Sequence, residues 1–166
     1  HLAWAGIGVQ FPSVSPNKRR LAFARRLREV NIYSLTVDAS GKAVGAPKLM
    51  VNSTQSEYCQ MFSPDGSKIA FQSDRSGDHE IWVCDANGGS CTQLTSFGQF
   101  AGSPFWSPDG QWIAFDAAID DAQVTYVIPA TGGKPRRLTA DRSLLPRWSH
   151  DGKWIYVLYN GKLHRI

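Results

Sequence analysis

One phrase is written several times along the chain. FSPDGSKIAFQSD, which begins at Phe62, recurs as WSPDGQWIAFDAA from Trp106 and as WSHDGKWIYVLYN from Trp148. A diverged copy, VSPNKRRLAFARR, begins at Val14. The serines that anchor the copies are 48, 44 and 42 residues apart, at Ser15, Ser63, Ser107 and Ser149. A repeat of roughly 40–50 residues is typical of the four-stranded blade of a β-propeller.

Each repeat holds four short segments with strand composition, because aromatic and β-branched residues fill them. The first ends at the anchor serine, and the fourth carries Leu49, Leu94 or Leu138. The second and third segments are 21–23, 69–71, 113–115 and 155–157, then 32–35, 81–84 and 125–128. Proline, aspartate and glycine between the first two segments favour a tight turn. The SPDG phrase is therefore interpreted as architecture, within an all-β propeller of four-stranded antiparallel blades.

The repeats predict about four blades in a single propeller domain, or propeller fragment, over residues 1–166. The blade repeats lie at about 11–50, 59–95, 103–139 and 145–166, and the last is completed by a strand at 1–5. That composite blade leaves three possibilities open: a four-bladed ring, two chains sharing their unpaired terminal strands in a homodimer, or part of a larger ring. Unpaired strand edges favour pairing with another chain.

Composition excludes several classes of protein. With 42% hydrophobic and 19% charged residues the chain is an ordinary globular domain. It has no apolar run of the length that a membrane span needs, and its start lacks the basic region of a signal peptide. The net charge of +4 comes largely from a basic cluster at 18–28. Because Phe23 is the one aromatic residue in that cluster, no nucleic-acid contact is predicted.

The second repeat is specific enough to suggest a family. Residues 59–95 contain SPDG, IAF, SDR-x-G, I-W-V, a glycine-rich turn and a closing LT. This pattern resembles the TolB-type, WD-repeat-like β-propeller blade. Residues 103–139 lack the SDR-x-G loop, and Asn17-Lys18 replaces Asp-Gly in the first repeat. The resemblance implies three settings: a bacterial periplasmic protein that binds other proteins, a propeller that gates a prolyl-oligopeptidase-like peptidase, or the sensory part of a regulator.

No catalytic set can be assembled from the sequence. A serine peptidase needs a G-x-S-x-G elbow, and the chain contains neither this motif nor a G-x-x-x-x-G-K-[ST] phosphate loop. The four histidines have no ligand-like spacing with one another or with the cysteines. We therefore predict a protein that is not an enzyme and that has no cofactor and no metal.

Two cysteines occupy neighbouring segments of the second repeat. If Asp85 pairs with Ser90 across the intervening turn, Cys84 faces Cys91 directly. Opposed residues on paired strands have Cβ atoms about 4.5–5.5 Å apart. The pair forms either a disulfide, which implies an oxidising compartment, or two half-buried thiols. Cys59 is predicted to be a small buried residue.

Charged residues gather where the second segment runs into the third. This loop class lines one face of a propeller, where partners dock. The candidate partner-binding residues are Asp74, Arg75, Asp78, His79, Asp116, Asp120 and Asp121. An Asp–Arg pair that pins the loop is the alternative to a binding role.

The function predicted from the sequence is non-catalytic binding of a protein or peptide. The domain is expected to be an extracytoplasmic TolB-like scaffold or sensory module of a longer protein. The alternatives are the gating propeller of a serine peptidase whose catalytic domain is absent from this segment, and a self-assembling structural ring.

Overall fold

The computed structural model describes residues 9–14, 21–25, 30–119 and 122–166. Every regular element in this part of the chain is a β-strand. In chain order the strands are β1 Val9–Val14, β2 Leu21–Arg25, β3 Ile32–Val37, β4 Ala43–Val51, β5 Glu57–Phe62, β6 Lys68–Ser73, β7 Glu80–Asp85, β8 Thr92–Gln93, β9 Phe100–Trp106, β10 Trp112–Ile119, β11 Ala122–Pro129, β12 Arg136–Arg137, β13 Leu144–Trp148, β14 Ile155–Tyr159 and β15 Lys162–Arg165. None of the described residues belongs to a helix long and apolar enough to cross a bilayer.

The strands form antiparallel sheets in the order that the repeats predict. The second blade is β5-β6-β7-β8, and the third is β9-β10-β11-β12. The fourth unit is β13-β14-β15, while β1-β2 and β3-β4 form separate two-stranded sheets in the first unit. The predicted all-β fold with four-stranded antiparallel blades is thus confirmed. The terminal strand expected at residues 1–5 and most of the basic cluster lie outside the described residues.

The SPDG turn is held together by the side chains of the repeated phrase. In the third blade the Ser107 hydroxyl donates to Asp109 Oδ1 and accepts the Trp112 N–H, at 2.5 and 2.9 Å. The same two bonds recur from Ser63 and from Ser149. Gly110 closes the turn with a φ of 69°, in a region that glycine enters without steric cost. These contacts give the phrase an architectural role.

Successive blades bury alternate faces of their strands, since neighbouring residues of a strand point to opposite sides of the sheet. Ile69 and Phe71 pack with Ile32 and Val51 towards the first unit. Residues on the other face of the second blade, which include Ala70 and Val83, meet the third blade. A third cluster joins the third blade to the fourth unit through Ala114, Val127, Ile155 and Val157. The second and third blades are therefore apolar on both faces.

The first strand of each unit, which we call the innermost strand, carries a β-bulge. The register slips between Gln10 and Ser13, between Tyr58 and Met61, opposite residues 114–116, and between Leu144 and Arg147. At the bulge Cys59, Ser103 and Leu145 have φ values of 54°, 53° and 53°. Cys59 is exposed, so its predicted burial is wrong.

Candidate functional site

The candidate partner-binding residues of the second blade lie in the connection from β6 to β7. We call residues 74–79 the second-blade loop, and the edge of the sheets on which it lies the loop edge. The SPDG turns lie on the opposite edge, which we call the turn edge. Because β5 begins where β6 ends, the loop lies beside the start of the innermost strand.

Asp74 fixes the beginning of the second-blade loop. Its Oδ1 accepts the backbone N–H of Ser56 at 2.8 Å, so the loop is tied to the segment that enters β5. Its carbonyl accepts the N–H of Gly77 at 2.9 Å, which closes a tight turn. The Asp74 carboxylate therefore has a hydrogen-bond partner in the protein's own backbone.

Arg75 fixes the loop from the other side. Its guanidinium donates to Glu57 Oε1 at 2.9 Å, and the Glu57 side chain is fully buried. The guanidinium also lies over the rings of Phe71 and Trp82, at 5.1 and 4.9 Å from their centroids. Asp74 and Arg75 therefore take different partners, and the Asp–Arg pair that the sequence offers as the alternative to a binding role does not form.

Sequence reasoning did not identify Glu57. It pairs with Ser73 in the same way that Ala101 pairs with Ala117 in the third blade. A carboxylate at a strand position that is alanine in the next repeat is the signal that marks it. Its Oε1 also accepts the Ser53 hydroxyl at 2.5 Å. Glu57 thus joins the segment before β5 to the second-blade loop.

Asp78 is the exposed charge of this loop. Ser76, Gly77 and Asp78 are all exposed at its tip. The backbone on both sides is held, by Asp74 before the tip and by the pairing of Ser73 with Glu80 across the base. The arrangement presents a carboxylate to solvent on a fixed support.

His79 faces inward. Its ring lies edge-on to Tyr58 and Phe100, with centroids at 6.4 and 5.9 Å. Its carbonyl accepts the N–H of Ala101 at 2.7 Å, so it connects the second blade to the third. The buried Nδ1 has no hydrogen-bond partner among the described residues. His79 is placed to join blades, with only part of its ring at the surface.

Glu80 forms further hydrogen bonds on the loop edge. Its carboxylate is buried, and it accepts the Thr95 hydroxyl at 2.5 Å and the Gly98 N–H at 2.9 Å. The Thr95 hydroxyl oxygen in turn accepts the N–H of Ile81 at 2.8 Å. Glu80 therefore ties the connection between β8 and β9 to the base of the second-blade loop.

Of the three acidic residues that the sequence places in the third-blade loop, only Asp116 lies within the described residues. Asp116 lies within β10 and is 2% exposed, so its predicted place in a partner-binding loop is wrong. The alignment failed here because β10 runs to Ile119, several residues beyond the expected strand end. Asp120 and Asp121 lie outside the described residues.

Burial raises the pKa of Asp116 to about 6, because an ionised carboxylate is costly to remove from water. The Ser103 hydroxyl, the Leu145 N–H and, more weakly, the charge of Arg147 act in the opposite direction. Gln123 Nε2 donates to Oδ2 at 3.3 Å. Ser103 and Leu145 are bulge residues of the third blade and the fourth unit, so Asp116 lies at the joint between them.

Cys84 and Cys91 are joined by a disulfide, with their Cα atoms 4.0 Å apart. The strands pair Val83 with Thr92, which places the two cysteines opposite each other. The bond lies on the face of the second blade that packs on the first unit. Among the described residues no group of three or more His, Cys, Asp or Glu side chains is arranged to hold a metal ion.

Comparison with known proteins gives one family match. A family model described as the TolB beta propeller domain matches residues 7–165. No curated protein matches the sequence.

Solved structures with a similar fold include two TolB proteins. A putative TolB from Agrobacterium tumefaciens is similar over 95% of this chain and 57% of its own, with 22% identity and a TM-score of 0.72. TolB from Acinetobacter baumannii is 26% identical over 78% of this chain and 36% of its own, with a TM-score of 0.62. A puromycin hydrolase, at 16% identity over 90% of this chain and 24% of its own, has a TM-score of 0.61. The chain therefore spans little more than half the length of the Agrobacterium protein.

Proposed function

The chain belongs to the TolB beta propeller domain family, and we propose that it is a non-catalytic module that binds a protein or peptide partner outside the cytoplasm. We further propose that it works as a scaffold or sensory domain within a longer protein. The partner contacts the loop edge, and the second-blade loop is the centre of that contact.

A single observation carries this proposal: an exposed carboxylate stands on a loop that is pinned at several points. The Asp74, Arg75 and Glu57 side chains use their polar groups within the protein, whereas Asp78 faces solvent. A preorganised loop loses little conformational entropy when a partner binds, which favours affinity. Loops held by a rigid scaffold are where proteins commonly carry their binding residues.

The disulfide supports the location. Disulfides persist in oxidising compartments and are rare in the cytosol. The Cys84–Cys91 bond therefore agrees with the periplasmic setting that the TolB resemblance implies. The 57% and 36% coverage of the two TolB structures supports a longer propeller. The likeness to a puromycin hydrolase, at 16% identity, shows the fold alone and favours no gating role.

Photo-cross-linking in the native cells tests this proposal. A photo-reactive phenylalanine analogue is placed at the exposed Ser76, beside Asp78, in the full-length protein. The control carries the same analogue at Ser40, an exposed residue of the turn between β3 and β4. We expect a discrete cross-linked protein from position 76 and none from position 40.

The contribution of Asp78 is tested in the same background. Asp78→Ala is expected to remove the cross-link from position 76 while the protein level and thermal unfolding midpoint stay unchanged. A cross-link that survives this substitution, or identical products from positions 76 and 40, would reject the loop edge as the binding surface.

A further inference from the structure

A cavity of about 760 Å³ opens on the turn edge between the second and third blades. It lies away from the second-blade loop. Its floor is apolar and includes Val83, Leu94 and Trp106. Asp65 and Asp109, from the SPDG turns of the two blades, stand at its sides. Two neighbouring repeats thus enclose a space with apolar and acidic parts.

One residue difference between repeats explains why the cavity exists here. Five residues after the anchor serine, the third and fourth repeats carry Trp112 and Trp154, whereas the second carries Lys68. Trp112 packs with Leu138 and Trp148 in the joint between the third blade and the fourth unit. Lys68 instead reaches Asp85, with its Nζ 2.7 Å from Oδ1. The volume that an indole fills in one joint is therefore open in the other.

The walls of the cavity favour a cation. Asp109 Oδ1 accepts the Ser107 hydroxyl and the Gln111 N–H, while Oδ2 has no hydrogen-bond partner among the described residues. These hydrogen bonds hold the pKa of Asp109 below its ordinary value, and the pKa of Asp65 is lowered in the same way to about 2. Both carboxylates are ionised at neutral pH. The charge of Lys68 is paired with Asp85, so the net charge at the mouth is negative.

The floor suits an aliphatic chain. Trp106 donates its indole N–H to the Met61 carbonyl at 3.1 Å, so the polar atom of the ring is already engaged. Leu94 is half-buried and offers carbon atoms to an occupant, together with the small part of the Trp106 ring that stays exposed, since Trp106 is 6% exposed. Lysine and arginine combine an apolar stem with a charged end. Their stem matches the apolar floor of the cavity, and their charge matches its acidic walls. A phosphate-bearing ligand would meet like charge.

The mouth also offers a strand edge. β8 is the last strand in the order of its sheet, and Ser90 and Thr92 from this side line the cavity. An edge strand has backbone groups on its outer side that can pair with an added extended chain. The occupant that fits both features is a peptide segment with a basic side chain.

We propose that this cavity is a second binding site, which takes a lysine or arginine side chain from an extended peptide segment of a partner protein. The apolar stem lies on Trp106 and Leu94, and the cation meets Asp109 Oδ2. This site is separate from the loop edge and does not depend on the function proposed there.

Titration with a defined peptide tests the site. The probe is acetyl-Leu-Lys-Leu-amide, and the matched control is acetyl-Leu-Glu-Leu-amide. The indole N–H resonance of Trp106 in the isotope-labelled protein reports occupancy, because this ring lines the cavity. We expect saturable shifts with a Kd on the order of 1 mM or tighter for the lysine peptide, and none for the glutamate peptide. The absence of saturation by the lysine peptide, or equal binding of both, would overturn the proposal.

Two substitutions locate the binding. Lys68→Trp copies the residue of the next repeat and is expected to fill the cavity and abolish binding while the unfolding midpoint does not fall. Asp109→Asn is expected to weaken binding about tenfold, as loss of one charge-assisted contact does. Asp151→Asn, in the corresponding turn of the fourth unit, is the control and should bind normally. Full binding by the folded Lys68→Trp protein would contradict this location. The cross-link from position 76 should survive Lys68→Trp, so the two sites fail separately.

Discussion

At the scale of single residues, the fold buries two carboxylates that differ in whether a cation pairs with them. Glu57 is fully buried, and Arg75 and the Ser53 hydroxyl donate to one of its oxygens. Asp116 is also buried, but it forms no ion pair among the described residues, and the charge of Arg147 lowers its pKa only weakly. Breaking a buried ion pair by removing one partner is costly, whereas a buried carboxylate without a cation is itself a cost. The two carboxylates should therefore respond differently to substitution.

Asp116→Asn is expected to stabilise the protein at neutral pH. The pKa of Asp116 is raised to about 6 in the folded state, against an ordinary value near 4. Between these values the folded state holds a proton that the unfolded state has lost, so stability falls as pH rises through this window and is constant above it. The shift from 3.8 to about 6 corresponds to a gain of up to about 3 kcal/mol at pH values above 6.

Thermal unfolding of both proteins from pH 4 to pH 8 measures this effect. The wild-type midpoint should fall relative to that of Asp116→Asn as pH rises from 4 to 6. Parallel curves over the whole range would show that Asp116 ionises normally.

Arg75→Ala is expected to destabilise the fold by about 3 kcal/mol, because it leaves the buried Glu57 carboxylate without its cation. Adding Glu57→Gln to Arg75→Ala should recover part of the loss, since the amide carries no charge. Lys153→Ala is the control: its nitrogen lies 4.0 Å from Asp151 at the surface, and it should have no measurable effect. Denaturant unfolding measures all three. If Arg75→Ala behaves like Lys153→Ala, Arg75 does not hold the loop.

At the scale of elements, turns and strands were predictable while bulges and strand ends were not. The SPDG turn follows from its residues because proline, aspartate and glycine each have a local conformational reason to be there. The bulge recurs in every unit but is occupied by Cys59, Ser103 and Leu145, which share no chemistry. Because these positions have no residue type in common, no local pattern in the sequence marks the bulge. The end of β10 at Ile119 has no local signal either, so the sequence places Asp116 in a loop. The partner of Arg75 was missed because Glu57 is 18 residues away in the sequence.

Ser107→Ala is expected to lower stability by about 1–2 kcal/mol. The hydroxyl is buried, and its loss leaves the Trp112 N–H without its partner. Ser76→Ala, in the exposed tip of the second-blade loop, is the matched control and should not change the midpoint. Equal midpoints for Ser107→Ala and wild type would remove the architectural role assigned to the repeated phrase.

The Cys84–Cys91 disulfide leads to a prediction at the same scale. Non-reducing peptide mapping of protein made under oxidising conditions should recover Cys84 and Cys91 in one linked peptide. The bond closes a loop with a sequence separation of 7, so its reduction is expected to cost about 2 kcal/mol. Recovery of both residues as free thiols would withdraw the support that the bond gives to an extracytoplasmic location.

At the scale of the whole molecule, the repeat builds a row of similar blades, and differences between repeats create its special places. The period predicted the blades and their order. Function was predicted only as a class, because it depends on positions where one repeat departs from the next. Glu57 stands where the third blade has Ala101, and Lys68 stands where later repeats have Trp112 and Trp154. One departure pins the exposed loop, and the other opens the cavity.

The central claim is that the repeated phrase builds the fold while the second-blade loop binds the partner. The most direct test measures the unfolding midpoint and the cross-link from position 76 for Ser107→Ala and Asp78→Ala side by side. The account predicts that Ser107→Ala lowers the midpoint and retains the cross-link at temperatures where the protein is folded. Asp78→Ala should keep the midpoint and lose the cross-link. A stable Ser107→Ala protein that no longer cross-links, or an Asp78→Ala protein that cross-links like wild type, would contradict it.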